Sequence, residues 1–121
     1  MPLFDTNAIT SAANSDGEFK LAARLWNADL CLEVGTDAYL LRMREGSISE
    51  FSKADASKWD VKISAPETDW RELLKPVPKP FYQDLMAAMT RQGFKVEGDL
   101  LGFNPYYRAT CRLFELMRQV A

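Results

Sequence analysis

Apolar and polar positions along the chain follow two periods, and the points where the period changes divide it into elements. Phe19, Ala22, Ala23 and Trp26 recur at helical spacing behind Ser15-Asp16-Gly17-Glu18, which has the S-x-x-E form of a capping box, and predict a helix over 16–26. Residues 5–13, rich in Ala, Asn and Thr, predict at most a short helix, so 1–14 is expected to be a loosely ordered leader into the fold. The period then drops to two. Ala28, Leu30, Leu32 and Val34 alternate with Asp29, Cys31 and Glu33, the pattern of a half-buried strand over 28–34. Turns at Gly35-Thr36-Asp37 and Glu45-Gly46 bound a second strand over 38–44 and a third over 47–52, giving an antiparallel meander.

Trp59, Val61, Ile63 and Ala65 predict a fourth strand over 59–65 with one wet face. Pro66 ends it, and Glu67 and Asp69 suit the first turn of a helix over 66–74 that packs through Trp70, Leu73 and Leu74. Pro76, Pro78 and Pro80 favour an extended connection, followed by an amphipathic helix marked by Phe81, Tyr82, Leu85, Met86 and Met89 and ending near Gly93. A fifth strand is predicted over 94–97. Asn104 as N-cap, with Pro105 at the first helical position, opens the last helix, whose stripe is Tyr106, Ala109, Thr110, Leu113, Met117 and Val120. Burying Leu113, Phe114, Met117 and Val120 at about 1.5–3 kcal/mol each contributes about 6–12 kcal/mol, comparable with the net stability of a domain. That helix has a structural role whatever else it does.

Composition narrows the class. At 121 residues, 47% hydrophobic and 26% charged, the chain is expected to form one globular α+β domain over 1–121. Fifteen basic against seventeen acidic residues, with no basic run, argues against a nucleic-acid partner. The first residues lack the pattern of a signal peptide and no window is apolar enough to span a bilayer, so a cytoplasmic protein without integral membrane association is expected. The chain has no histidine, which removes Ser-His and Cys-His catalysis and every histidine metal site. Cys31 and Cys111 are too few for a thiolate zinc site and read as buried thiols. No metal and no cofactor is expected.

Two strings carry more than their periodicity: WDVKISAPETDWRELL at 59–74 and FKVEGD at 94–99. In this order, after a helix and a three-strand meander, they resemble the sterol carrier protein type 2 domain. The resemblance runs from about 15 to 120. It implies a five-stranded, mostly antiparallel sheet with helices covering one face, and an interior tunnel for sterols, fatty acids, acyl thioesters or another apolar small molecule. Binding or transfer without catalysis is the function it implies. Members of the family usually carry glycine after the Leu-Leu pair, where this chain has Lys75 and three prolines, so the ligand entrance is expected to differ. The family's peroxisomal targeting tripeptide is absent.

Candidate lining residues are Tyr39, Met43, Phe81, Tyr82, Met86, Met89, Phe103, Tyr106, Tyr107, Phe114 and Met117, since flexible methionines and aromatics shape adaptable apolar pockets. The same residues would equally serve as close-packed core. Their concentration around the proline segment makes 77–89 a candidate gate. Arg108 and Arg112, four apart on one helix face, are candidate anchors for an anionic head group. Ten buried methylenes at about 0.8 kcal/mol each give about 8 kcal/mol, near micromolar affinity before ordering costs.

No catalytic constellation stands out. Glu67, Asp69 and Glu72 belong to a helix start, and Glu97 and Asp99 flank a turn. The alternative is a small conical α+β enzyme, or accessory to one, using carboxylate and tyrosine chemistry on a hydrophobic substrate. It requires a carboxylate buried in the pocket with a raised pKa, and Asp29, Glu33 and Asp60 lie on predicted wet faces. A third class, an interaction module, would use an apolar patch on the outer side of Tyr106-Tyr107. A monomer or weak homodimer is expected.

Overall fold

A computed structural model describes residues 4–54, 58–75, 85–91 and 93–120. The meander forms as its turns dictate: β1 (Ala28–Val34), β2 (Asp37–Arg44) and β3 (Ser47–Lys53) are consecutive antiparallel neighbours. Glu45 and Gly46 both take positive φ, 51° and 79°, the twist that suits a two-residue hairpin. β4 (Val61–Ala65) returns parallel to β1, and β5 (Lys95–Gly98) pairs antiparallel with β4, giving the order β3-β2-β1-β4-β5. The sheet is therefore mixed, with three antiparallel pairings and one parallel.

Register brings the apolar rows together. Leu30, Leu32 and Val34 lie opposite Val61, Ile63 and Ala65 on one side and Leu41, Tyr39 and Asp37 on the other. In β3 the inward residues Ile48 and Phe51 are three apart, which alternation alone does not allow. A bulge opposite Arg42 and Met43 inserts Ser49 and restores both to the core face.

The helices are α1 (Thr6–Ser15), α2 (Gly17–Ala22), α3 (Glu67–Leu73), α4 (Leu85–Arg91), α5 (Leu100–Phe103) and α6 (Tyr107–Val120), with a 3₁₀ turn at Asn104–Tyr106. The expectation of a loose 1–14 fails for its described part. Phe4, Ile9 and Ala13 are buried, and α1 packs on β3 and α6. The Asn14 amide donates to the Ile48 carbonyl at 3.0 Å and accepts from the Ile48 N–H at 2.8 Å, so α1 also caps the open edge of β3.

Other boundaries shift for local reasons. Asp16, not Ser15, caps α2, its carboxylate accepting from the Phe19 N–H at 2.8 Å, and Ser15 belongs to the end of α1. The predicted 16–26 helix stops at Ala22, and Leu25 at φ 69° turns the chain into β1. β4 starts at Val61 because Asp60 binds β1 from outside the ladder, its carboxylate taking the Asp29 N–H and its own N–H going to the Asp29 carbonyl. The last helical stretch begins at the Asp99 cap, which accepts from the Gly102 N–H, and Asn104 is already helical. Pro105, lacking an N–H, falls in the 3₁₀ turn before α6. The proline connection and the start of the following helix, 76–84, lie outside the described residues.

Trp70 on α3 centres the core. Its ring meets Phe4, Phe94 and Phe114 at 5.7, 4.9 and 5.7 Å, mostly edge to face, and its indole N–H donates to the Glu33 carbonyl of β1 at 2.9 Å. Phe4 extends the cluster to Tyr39 and Phe51.

Candidate functional site

α2 and α6 lie side by side above the sheet, and two contacts hold them together. At one end Arg112 of α6 grips the N-terminus of α2, with Nη2 and Nε donating to the two Asp16 carboxylate oxygens at 2.8 and 3.0 Å. Glu18 and Glu115 also approach its guanidinium, each at 3.0 Å. The hydrogen bond from Arg112, followed by that from the Phe19 amide, holds the Asp16 carboxyl down to about 2 from an ordinary 3.8. Asp16 in turn raises the Arg112 guanidinium further above its ordinary range. Beyond the other end Trp26, which follows α2, stacks on Tyr106 of the 3₁₀ turn that leads into α6, with centroids 4.9 Å apart and planes within 7°.

Between these two contacts the helices leave a groove of about 720 Å³. Leu21, Ala22, Tyr107 and Cys111 give it apolar walls, while Arg108 lines one side and Glu18, Arg112 and Glu115 close one end. Its size falls within the roughly 300–1,000 Å³ of small-molecule sites. Leu21 is 70% exposed despite being a large aliphatic side chain facing the groove. A second, smaller hollow of about 240 Å³ lies beside the Trp26–Tyr106 stack, lined by Leu25, Phe103, Asp60 and Asp99 among others.

The predicted lining residues separate into groups. Tyr39, Met43, Phe114 and Met117 are buried in the core, where Tyr39 meets Phe4 and Phe51, and Phe114 meets Trp70. Phe103 and Tyr106 pack against Trp26. Tyr107 lines the groove, and its hydroxyl accepts from the Met86 N–H of α4 at 2.9 Å. Met86 and Met89 face outward, 61% and 42% exposed, because α4 turns Leu85 and Ala88 to the core instead. Phe81 and Tyr82 lie outside the described residues, as does most of the candidate gate 77–89.

The two arginines also part company. Arg112 does not stand ready for a head group, since its donors are engaged by Asp16 and Glu115, with Glu18 beside them. Arg108 is exposed on the groove wall. Sequence reasoning missed Glu18, Leu21, Ala22 and Cys111. A signal was present: 18, 21, 22 and 25 share a helical face beside the core stripe of Phe19, Ala23 and Trp26.

Neither a protein-family model nor a curated protein matches this sequence. Solved structures do. The crystal structure of sterol carrier protein 2 superposes with a TM-score of 0.80 over 96% of this chain and 95% of that one, at 21% identity. The fold is that of sterol carrier protein 2. A Thermus thermophilus protein described as a possible sterol carrier protein shares the sterol-carrier fold at a TM-score of 0.76, with 22% identity, over 94% of this chain and 84% of that one. UbiJ-SCP2, a ubiquinone synthesis protein, matches at 0.63, with 18% identity, over 94% and 88%. The mixed sheet with its helices is thus the sterol-carrier architecture over most of the chain. Among the described residues, no helix is long and apolar enough to cross a membrane.

Proposed function

We propose that this protein binds an apolar small molecule, of sterol, fatty-acyl or similar class, and carries it without transforming it. The observation that carries the reading is the apolar-walled groove between α2 and α6, in a chain with the sterol-carrier fold. The ligand lies against Leu21, Ala22 and Tyr107. From there it reaches toward the interior by displacing side chains rather than by filling a ready tunnel, since Tyr39, Met43, Phe114 and Met117 pack closely where a lining was expected. Covering Leu21 alone recovers about 1–2 kcal/mol, and several such contacts give the modest affinity that suits a carrier.

The charged residues at the groove favour binding over chemistry. Glu18 and Glu115 are ion-paired with Arg112 rather than poised as acid and base. Glu72, the buried carboxylate, pairs with Lys75 at 2.7 Å and is not among the groove-lining residues.

Native mass spectrometry of purified protein, together with displacement of a fluorescent fatty-acid probe, tests the proposal. Wild type should bind the probe, and Ala22→Trp, which fills the groove, should weaken binding about tenfold or more, with circular dichroism and thermal unfolding checking that the variant still folds despite about 1–3 kcal/mol of overpacking against the core. Equal binding by the variant, or none by wild type, would overturn it.

A further inference from the structure

Two neighbouring helices ordinarily interlock rows of side chains along their contact. The pair α2 and α6 does so only in part. α2 has six residues, and it and its C-cap turn Phe19 and Ala23 into the core, both fully buried. Its side toward α6 is not filled by side chains: the groove lies there, with Leu21 exposed on its wall. What ties this side of α2 to α6 is polar and sits at the N-terminus of α2.

There one carboxylate has two tasks. The Asp16 Oδ2 that accepts from Arg112 Nε at 3.0 Å also accepts from the Phe19 N–H at 2.8 Å, so the atom that caps α2 is the atom that ties it to α6. Oδ1 completes the fork with Arg112 Nη2 at 2.8 Å. The two side chains are 17% and 21% exposed, so the pair is screened less than a surface ion pair and holds more firmly. Both flanks of α2 can absorb a swing. Asp16 is extended between α1 and α2, at φ −86° and ψ 118°, and Leu25 takes φ 69° before β1. Hinges are a few such residues at the ends of elements.

We propose that α2 is a latched lid over the groove: the forked Asp16–Arg112 pair holds it against α6, and parting of that pair lets α2 swing away and widens the groove for a ligand to pass. The swing belongs to the ligand-free chain. Its part in ligand exchange rests on the ligand reading above. A latch acts on entry and exit alike, so weakening it speeds both and leaves affinity nearly unchanged while the open state stays a minority.

Amide hydrogen exchange on ligand-free wild type and Asp16→Asn tests the latch apart from any binding. Asparagine still caps α2, and Glu18 and Glu115 remain beside Arg112, so the variant keeps its fold and strands no charge. The amides of Lys20 to Ala23 should exchange about fivefold or more faster in the variant, while those of Ile9 to Ala13 in α1 and Leu113 to Met117 in α6 keep their wild-type rates. Stopped-flow binding of a fluorescent long-chain alcohol, which is neutral and gains nothing from a freed Arg112, should show on- and off-rates rising together about fivefold, with Kd within about twofold of wild type. Arg112→Lys, which keeps the charge but not the fork, should fall between. Unchanged exchange at 20–23 overturns the proposal. So does a uniform acceleration that includes α1 and α6, which would make Asp16 a support of the whole fold, or a faster off-rate with Kd weakened in step, which would make it a support of the groove's shape. Wild type that binds neither this probe nor a fatty acid overturns the ligand reading and the role in exchange, and the hydrogen-exchange result still decides the latch.

Discussion

Trp70→Phe isolates the role of the residue that joins the two layers. The indole N–H donates to the Glu33 carbonyl at 2.9 Å, and phenylalanine keeps a ring in place but has no donor. Losing that donor costs about 0.5–1.5 kcal/mol, since the carbonyl belongs to a strand paired on both sides. The smaller ring also loosens the contacts with Phe4, Phe94 and Phe114, adding about 1 kcal/mol of lost packing. The total, about 1.5–2.5 kcal/mol, corresponds to a fall in melting temperature of about 6–10 °C at roughly 4 °C per kcal/mol for a domain of this size. Trp70→Ala removes the ring contacts as well, for about 4–6 kcal/mol, which approaches the whole stability of an ordinary domain. Far-ultraviolet circular dichroism during urea and thermal unfolding reads both variants without depending on the lost fluorophore. The dependence on urea should keep its slope, since the surface exposed on unfolding hardly changes. A Trp70→Phe loss below about 1 kcal/mol would show that the hydrogen bond contributes nothing net. A loss equal to that of Trp70→Ala would show that the ring contacts contribute nothing.

Three further outcomes follow from the same geometry. Asp16 has a lowered pKa in the folded protein, so the stability it contributes is present above its ordinary value near 3.8 and is lost as pH falls toward about 2. Urea unfolding between pH 2 and 5 should therefore show a smaller acid loss in Asp16→Asn, which keeps a capping side chain but not the charge, and identical acid limbs would refute the pairing. Phe4→Ala should cost about 3–5 kcal/mol in thermal unfolding, because Phe4 packs on Tyr39, Phe51 and Trp70; a neutral result would mean that the first residues do not belong to the core. Gly98→Ala should destabilise by about 2 kcal/mol or more, since φ is 110° and the added carbon would clash with the Asp60 carbonyl oxygen. An unchanged urea midpoint for that variant would contradict the close approach of β5 to the start of β4.

Where each element shows one dominant local pattern, the sequence was legible. The alternation of 28–34 and 61–65 is set by a sheet with one buried face, and the Glu45-Gly46 turn is set by two positive φ angles. Both are properties of neighbours in the chain. Legibility failed where a distant partner decided. Asn14 reads as a poor helix residue until the edge of β3 supplies its two hydrogen bonds. Asp16 and Ser15 are both good caps, and Arg112, ninety-six positions away, favours Asp16. Met86 and Leu85 are adjacent apolar residues, and only the packing of α4 turns one outward and the other in.

The same division holds for the candidate site. Apolar periodicity determined an α+β chain, because burying one face of each element requires those spacings, and the strings at 59–74 and 94–99 carried its resemblance to the sterol carrier domain. Tertiary structure alone decided which apolar residues became core and which became a wall. It packed Tyr39, Met43, Phe114 and Met117 together, set Leu21 across from Tyr107, and committed Arg112 while leaving Arg108 on the groove wall. Periodicity records which side of an element avoids water. Only the placement of α2 against α6 determines whether that side meets another side chain or a space that a ligand can fill.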